Sequence, residues 1–185
     1  MAGALIILPL IGTLLALGIR IPRADIDLTA LLVARLIAAG LAAGLIVGLI
    51  EEVFFRGVLF TAIQRSSGTV LAVALPSLLY ASVHFLGGRL HLPADQIEWS
   101  SGWAVLGKMF IKYGNPLAIV DSFLALFAVG VLLAVVRLRT GSIAACIGMH
   151  AAWVCVIAFV KDTTRLQPAD TASWLVLYGD RKSVV

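Results

Sequence analysis

Glu51-Glu52-Val53-Phe54-Phe55-Arg56-Gly57 places three charges in a run that is otherwise apolar. From Leu31 to Ile50 the one charge is Arg35, and from Gly57 to Ile63 there is none. A charge near the centre of a bilayer costs at least ~2.5–3.5 kcal/mol on insertion scales, so such residues mark a functional site by default. On an α-helix Glu52 and Arg56 are i, i+4 neighbours on one face. Glu51 points about 100° away from Glu52 and can look toward a different partner. The spacing thus predicts one glutamate held by the arginine and a second left available as a base. The blander reading, an ion pair that only locks two helices, does not need the second carboxyl. His84 and His150 lie in two other apolar segments, whereas His91 lies in a polar loop and is expected to be solvated. Either histidine alone is most simply a satisfied hydrogen-bonding group. Two histidines and a Glu-Glu pair on three helices form a different constellation. Glutamate and histidine act as general bases and acids, and histidine also donates to a developing oxyanion. Tyr80 shares a helix face with His84 and is read as packing with a polar tip.

The elements that must position these groups follow from composition. The chain has 185 residues, 61% hydrophobic and 13% charged, with mean hydropathy +1.05. Soluble domains are roughly 45–50% apolar and ~25% charged, so a soluble globular class is excluded. The net charge of +4 sits on residues that flank apolar runs. That distribution suits lipid headgroups and topology setting, and it argues against nucleic acid. Cys146 and Cys155 share one apolar segment without a CxxC pattern, which supports neither a disulfide framework nor a zinc knuckle. No Lys or Arg precedes the first apolar run, unlike a cleavable signal peptide.

The fold class is all-α, a polytopic transmembrane helical bundle of about five spans. The expected spans are about Ala2–Ile19, Ala30–Ile63, Thr69–Leu86, Leu117–Val136 and Ser142–Val160, with Asp27 or Thr29 capping the second. The second is ~50 Å long at 1.5 Å per residue and must tilt, kink or protrude. Gln64 to Gly68 ends it. Trp99 and Trp103, with Ile97, Leu106, Met109 and Phe110 among Glu98, Lys108 and Lys112, predict a short helix lying in the membrane interface. Trp174 to Tyr178 is too short to span. Gly44, Gly57 and Gly148 are candidates for close helix approach. The chain is expected to form a single membrane domain over residues 1–185.

Glu51-Glu52-x-x-x-Arg56, followed by Tyr80-x-x-x-His84 and by a later helix with His150, resembles the CPBP family. That family holds the type II CAAX prenyl proteases and the bacteriocin-processing Abi-like proteins. The resemblance covers about residues 46–159, a catalytic-like core. It implies an all-helical intramembrane endopeptidase whose catalytic set is Glu51, Glu52, Arg56, His84 and His150. In that set Glu51 activates water, His84 shares or orients it, and His150 faces the carbonyl oxygen. Glu52 with Arg56 holds the register and the local field. The implied substrate is a peptide or membrane protein, reached within a lipid bilayer. No cofactor is expected. Zinc is the alternative, since Glu and His are legitimate ligands, although the sequence has no HExxH. The family commonly carries Phe where this chain has Tyr80. It has Asn or Asp four residues after the last histidine, where this chain has Val154, which cannot donate a hydrogen bond.

Two rival functions come from other classes. One is a non-catalytic module that binds a peptide or partner in the same chamber, favoured by Val154. The other is a small transporter or proton relay, which five spans without an inverted repeat suit poorly. The expected home is a prokaryotic cell membrane, crossed several times.

Overall fold

The computed structural model describes residues 2–87 and 97–167. The readings that concern His91 and Trp174 to Tyr178 lie outside these residues. Among the described residues seven α-helices form: α1 (Ala2–Ala16), α2 (Ala30–Glu52), α3 (Phe60–Ser67), α4 (Thr69–Val83), α5 (Ser101–Met109), α6 (Val120–Thr140) and α7 (Ile143–Thr163). The all-α membrane class holds. Helical backbone runs unbroken from Ala30 to Ser67, and α6 and α7 are likewise long and apolar enough to cross a membrane. Residues Ile7–Ala16 and Thr69–Val83 are shorter apolar helices. With 15 residues, α4 is about 22 Å long, less than the ~30 Å hydrocarbon core. Its backbone turns out of the helix at His84.

Of the two candidate caps, Thr29 does the work: its hydroxyl oxygen accepts a hydrogen bond from Leu32 N at 3.2 Å, satisfying a first-turn donor of α2. The second helix is not α-helical throughout. Val53–Leu59 is π-helical. Its i→i+5 bonding widens the turn at the motif itself, as π-bulges often do at functional sites.

The chain divides into two compact units, residues 1–53 with 142–185, and residues 54–141. In the first unit α2 packs on α7, and α1 also lies on α7. The buried positions of α2 are Gly40, Gly44, Gly48 and Glu52, a four-residue repeat that makes one stripe. Leu41, Leu45, Ile46, Leu49 and Ile50 on its other faces are exposed. This inverts a soluble helix and suits a span, because lipid tolerates apolar side chains while small residues let helix backbones meet. A short antiparallel pairing of Arg20–Pro22 with Thr164–Leu166 ties the ends of α1 and α7. Arg20 Nε donates to Thr164 Oγ1 across it at 2.7 Å.

In the second unit α4 packs against α6 and α3, with Phe60, Ala72 and Ala134 as its buried core. Gly130 of α6 lies on Ser77 of α4 so closely that a Cβ would stand 2.9 Å from Ser77 Cβ.

Candidate active site

In the first unit the glycine stripe positions one group of candidate residues. A Cβ at Gly44 would lie 2.6 Å from the Ala151 carbonyl oxygen and 2.9 Å from Ala151 Cα, so α2 and α7 touch backbone to backbone there. One turn on, a Cβ at Gly48 would meet His150 Cβ at 3.4 Å. Another turn brings Glu52. Its Oε1 lies 2.8 Å from His150 Nδ1, a contact between residues 98 apart in sequence. An ionised carboxylate only accepts, so beside one Nδ1 carries the hydrogen. Nε2 lies 3.9 Å from Glu51 Oε2, beyond hydrogen-bond reach.

Both glutamates therefore face one imidazole, one on each ring nitrogen. Glu51 thus looks toward His150 rather than Arg56. The 100° offset separates the side chains at their Cα atoms, and His150 is wide enough to meet both. Exposure distinguishes the two carboxylates. The Glu52 side chain is fully enclosed, whereas that of Glu51 is 26% exposed. Glu51 Oε2 is nevertheless turned inward, with no hydrogen bond among the described residues.

In the other unit a second group of candidate residues gathers on α4 and the π-helical turn. Arg56 is buried. Its Nη2 donates to the Gly130 carbonyl at 3.1 Å, and its guanidinium lies 4.6 Å from the centre of the Tyr80 ring. The close approach of Gly130 to Ser77 holds that carbonyl in place. Tyr80 is thus the floor under a buried cation as well as core packing. Its ring also lies 4.4 Å from that of His84. His84 itself is exposed, and its Nδ1 donates to the Tyr80 carbonyl one turn back at 2.7 Å. That bond satisfies a last-turn carbonyl of α4 and leaves Nε2 available.

The structure thus groups Glu51, Glu52 and His150 in one unit, and Arg56, Tyr80 and His84 in the other. Of the glycines singled out, Gly44 makes the closest approach, but Gly148 does not contribute: a Cβ there would meet nothing within 4 Å. Gly40, Gly48 and Gly130 were overlooked. The repeat Gly40-xxx-Gly44-xxx-Gly48-xxx-Glu52 was the signal that could have found the first two. Val154 is half-buried on α7, one turn beyond His150. Among the described residues no group of three His, Cys, Asp or Glu side chains is placed to hold a metal ion, and His150 Nδ1 is already engaged by Glu52.

Comparison with known families bears on the same residues. The family model of the Rce1-like type II CAAX prenyl endopeptidases matches residues 33–156, which include every site residue named above. The chain belongs to the Rce1-like family. No curated protein and no solved structure gives a significant match. Rce1-like membership brings the chain into the class of CAAX-type membrane proteases, with a peptide or protein as substrate.

Proposed function

We propose that this protein hydrolyses a peptide bond near the membrane with water activated by Glu51. One observation carries the reading: a partly exposed carboxylate keeps an inward oxygen with no hydrogen bond among the described residues, 3.9 Å from His150 Nε2. Buried polar atoms are normally satisfied, and one that is not calls for an explanation such as catalysis. Glu51 takes a proton from water as the water oxygen attacks the peptide carbonyl carbon. It returns that proton to the leaving nitrogen as the C–N bond breaks. His150 protonated on both nitrogens donates from Nε2 to the carbonyl oxygen, and the enclosed Glu52 accepts from Nδ1, orients the ring and stabilises its charge, as a carboxylate does in a hydrolytic triad. His84 is assigned to the water on its place in the motif, and its free Nε2 is consistent with that role. Arg56 sets the field at the π-helical turn. The prokaryotic cell membrane, crossed several times, remains the proposed location.

Glu51→Gln keeps shape and removes basicity. It should lower turnover of a cleavable peptide in detergent by about 10²–10⁴-fold, with an unchanged elution profile and no response of the wild type to a chelator. Full turnover by the variant would end the base assignment, and chelator sensitivity would end the metal-free one.

Val154 favours a second reading, a retired protease that binds a peptide. Val154→Asn adds the missing donor, and in a working enzyme it should raise turnover by up to ~10²-fold with little change in peptide affinity. Binding without cleavage by either form, across a broad peptide library, would favour the binding module.

A further inference from the structure

The segment from Ile97 to Leu117 carries a set of side chains that the reaction does not use. No residue of α5 is buried. Trp99 is fully exposed and Trp103 is 76% exposed, with Phe110, Ile111 and Leu117 exposed beside them. Trp103 and Leu106 share one face of α5, and Phe110 follows at its C-terminus. Lys108 and Lys112 are also exposed and stand off that face. Glu98, the acidic group here, is occupied at the N-terminal end, where its carboxylate accepts from Ser100 Oγ at 3.3 Å. Indole rings with lysines and no buried side chain suit the boundary between acyl chains and headgroups rather than a protein core.

The segment is also fastened to the turn that carries His84. Gly87 N donates to the Met109 carbonyl at 3.0 Å, and Tyr113 Oη donates to the Ser82 carbonyl. Ser82 and Gly87 bracket His84. Any force that fixes the depth of α5 therefore fixes the depth of that turn.

We propose that residues 97–117 form an anchor in the headgroup layer that takes anionic phospholipid. The tryptophans and Phe110 sit at acyl-chain level, Lys108 and Lys112 meet the lipid phosphates, and the two backbone ties hold the C-terminal turn of α4 at that depth. The occupant is the anionic face of the bilayer, chosen by charge: two exposed lysines face outward and the nearby carboxylate is turned to its own loop. Basic residues at such a surface are attracted within about a Debye length.

The test uses the full chain in nanodiscs of phosphatidylcholine with or without about 30% phosphatidylglycerol, a typical anionic content for this purpose. Tryptophan emission is quenched by lipids brominated at shallow or deep acyl positions. Subtracting the spectrum of W99F/W103F isolates the two indoles, and both changes are at exposed sites that leave the fold intact. The expected component is quenched about twofold more by shallow than by deep bromines, as an interfacial ring should be. Phosphatidylglycerol should increase that quenching, and K108Q/K112Q or high salt should remove the increase. Equal quenching at both depths, or none, overturns the anchor, the latter in favour of water or a protein cover. Shallow quenching indifferent to phosphatidylglycerol and to K108Q/K112Q overturns the lipid assignment. None of these readouts depends on peptide cleavage.

Discussion

The two candidate histidines are held in opposite ways. His150 is buried and bonded to Glu52 across 98 residues of sequence, on a seam where two helix backbones touch. His84 is exposed and bonded to a carbonyl of its own helix, four residues back. The first depends on a long-range contact that three glycines permit. The second is available to an isolated α4. Comparing them shows that an acid-base group can be fixed either by tertiary packing or by a helix end, and that the two should fail differently.

The seam should break hardest. Gly44→Ala places a methyl 2.6 Å from a backbone oxygen that cannot move aside, so its cost should exceed ~3 kcal/mol, the upper end for ordinary overpacking. Loss of monodisperse protein in detergent would show it, with Gly148→Ala as the neutral control. Normal thermal stability of Gly44→Ala would mean the two helices do not meet as described.

The histidines themselves sharpen the contrast. His150→Ala removes the donor to the enclosed Glu52 carboxylate and should cost about 1.5–3 kcal/mol, the range for a bond to a charged group. His84→Ala touches an exposed site and should stay within about 0.5 kcal/mol. Thermal unfolding of the two variants measures the gap, and equal losses would dissolve the distinction. Both should lose turnover, so lost activity without a stability change is the mark of His84.

Arg56 comes next. Arg56→Ala removes a charged donor to Gly130 and a cation over Tyr80, at about 2 kcal/mol. Arg56→Lys keeps the charge but not the flat stacking surface and should recover part of the loss. Full recovery by lysine would show that stacking on Tyr80 contributes little.

The smallest effect belongs to the loop before α2. Asp25 accepts from Arg23 Nη2 at 2.9 Å on the exposed surface. That bond holds the Asp25 carboxyl below its ordinary pKa and, reciprocally, raises that of Arg23. A carboxylate with a lowered folded-state pKa stabilises above its unfolded value and loses that contribution as pH falls through the folded one. Asp25→Asn should therefore leave neutral-pH stability unchanged, because exposed pairs contribute little, and flatten only the acid limb. A clear loss at neutral pH would show that this loop matters more than its exposure suggests.

The sequence by itself determined the class and the residues at stake. An apolar composition with three charges in one span is legible without coordinates, because the cost of charge in lipid depends on residue type and surroundings alone. The helix of residues 101–109, the Thr29 cap and the end of the second helix at Gly68 were legible for similar local reasons: periodicity, capping chemistry and a break in the apolar run. What the tertiary structure decided was partnership. Helical periodicity fixes the face on which Glu51, Glu52 and His150 lie, but not how closely two faces approach. That distance depends on Gly40, Gly44 and Gly48 lying against α7. Because a hydrogen bond falls away within a few tenths of an ångström, the joining of Glu52 to His150, and the stopping of Glu51 just short of it, could be settled only by that packing.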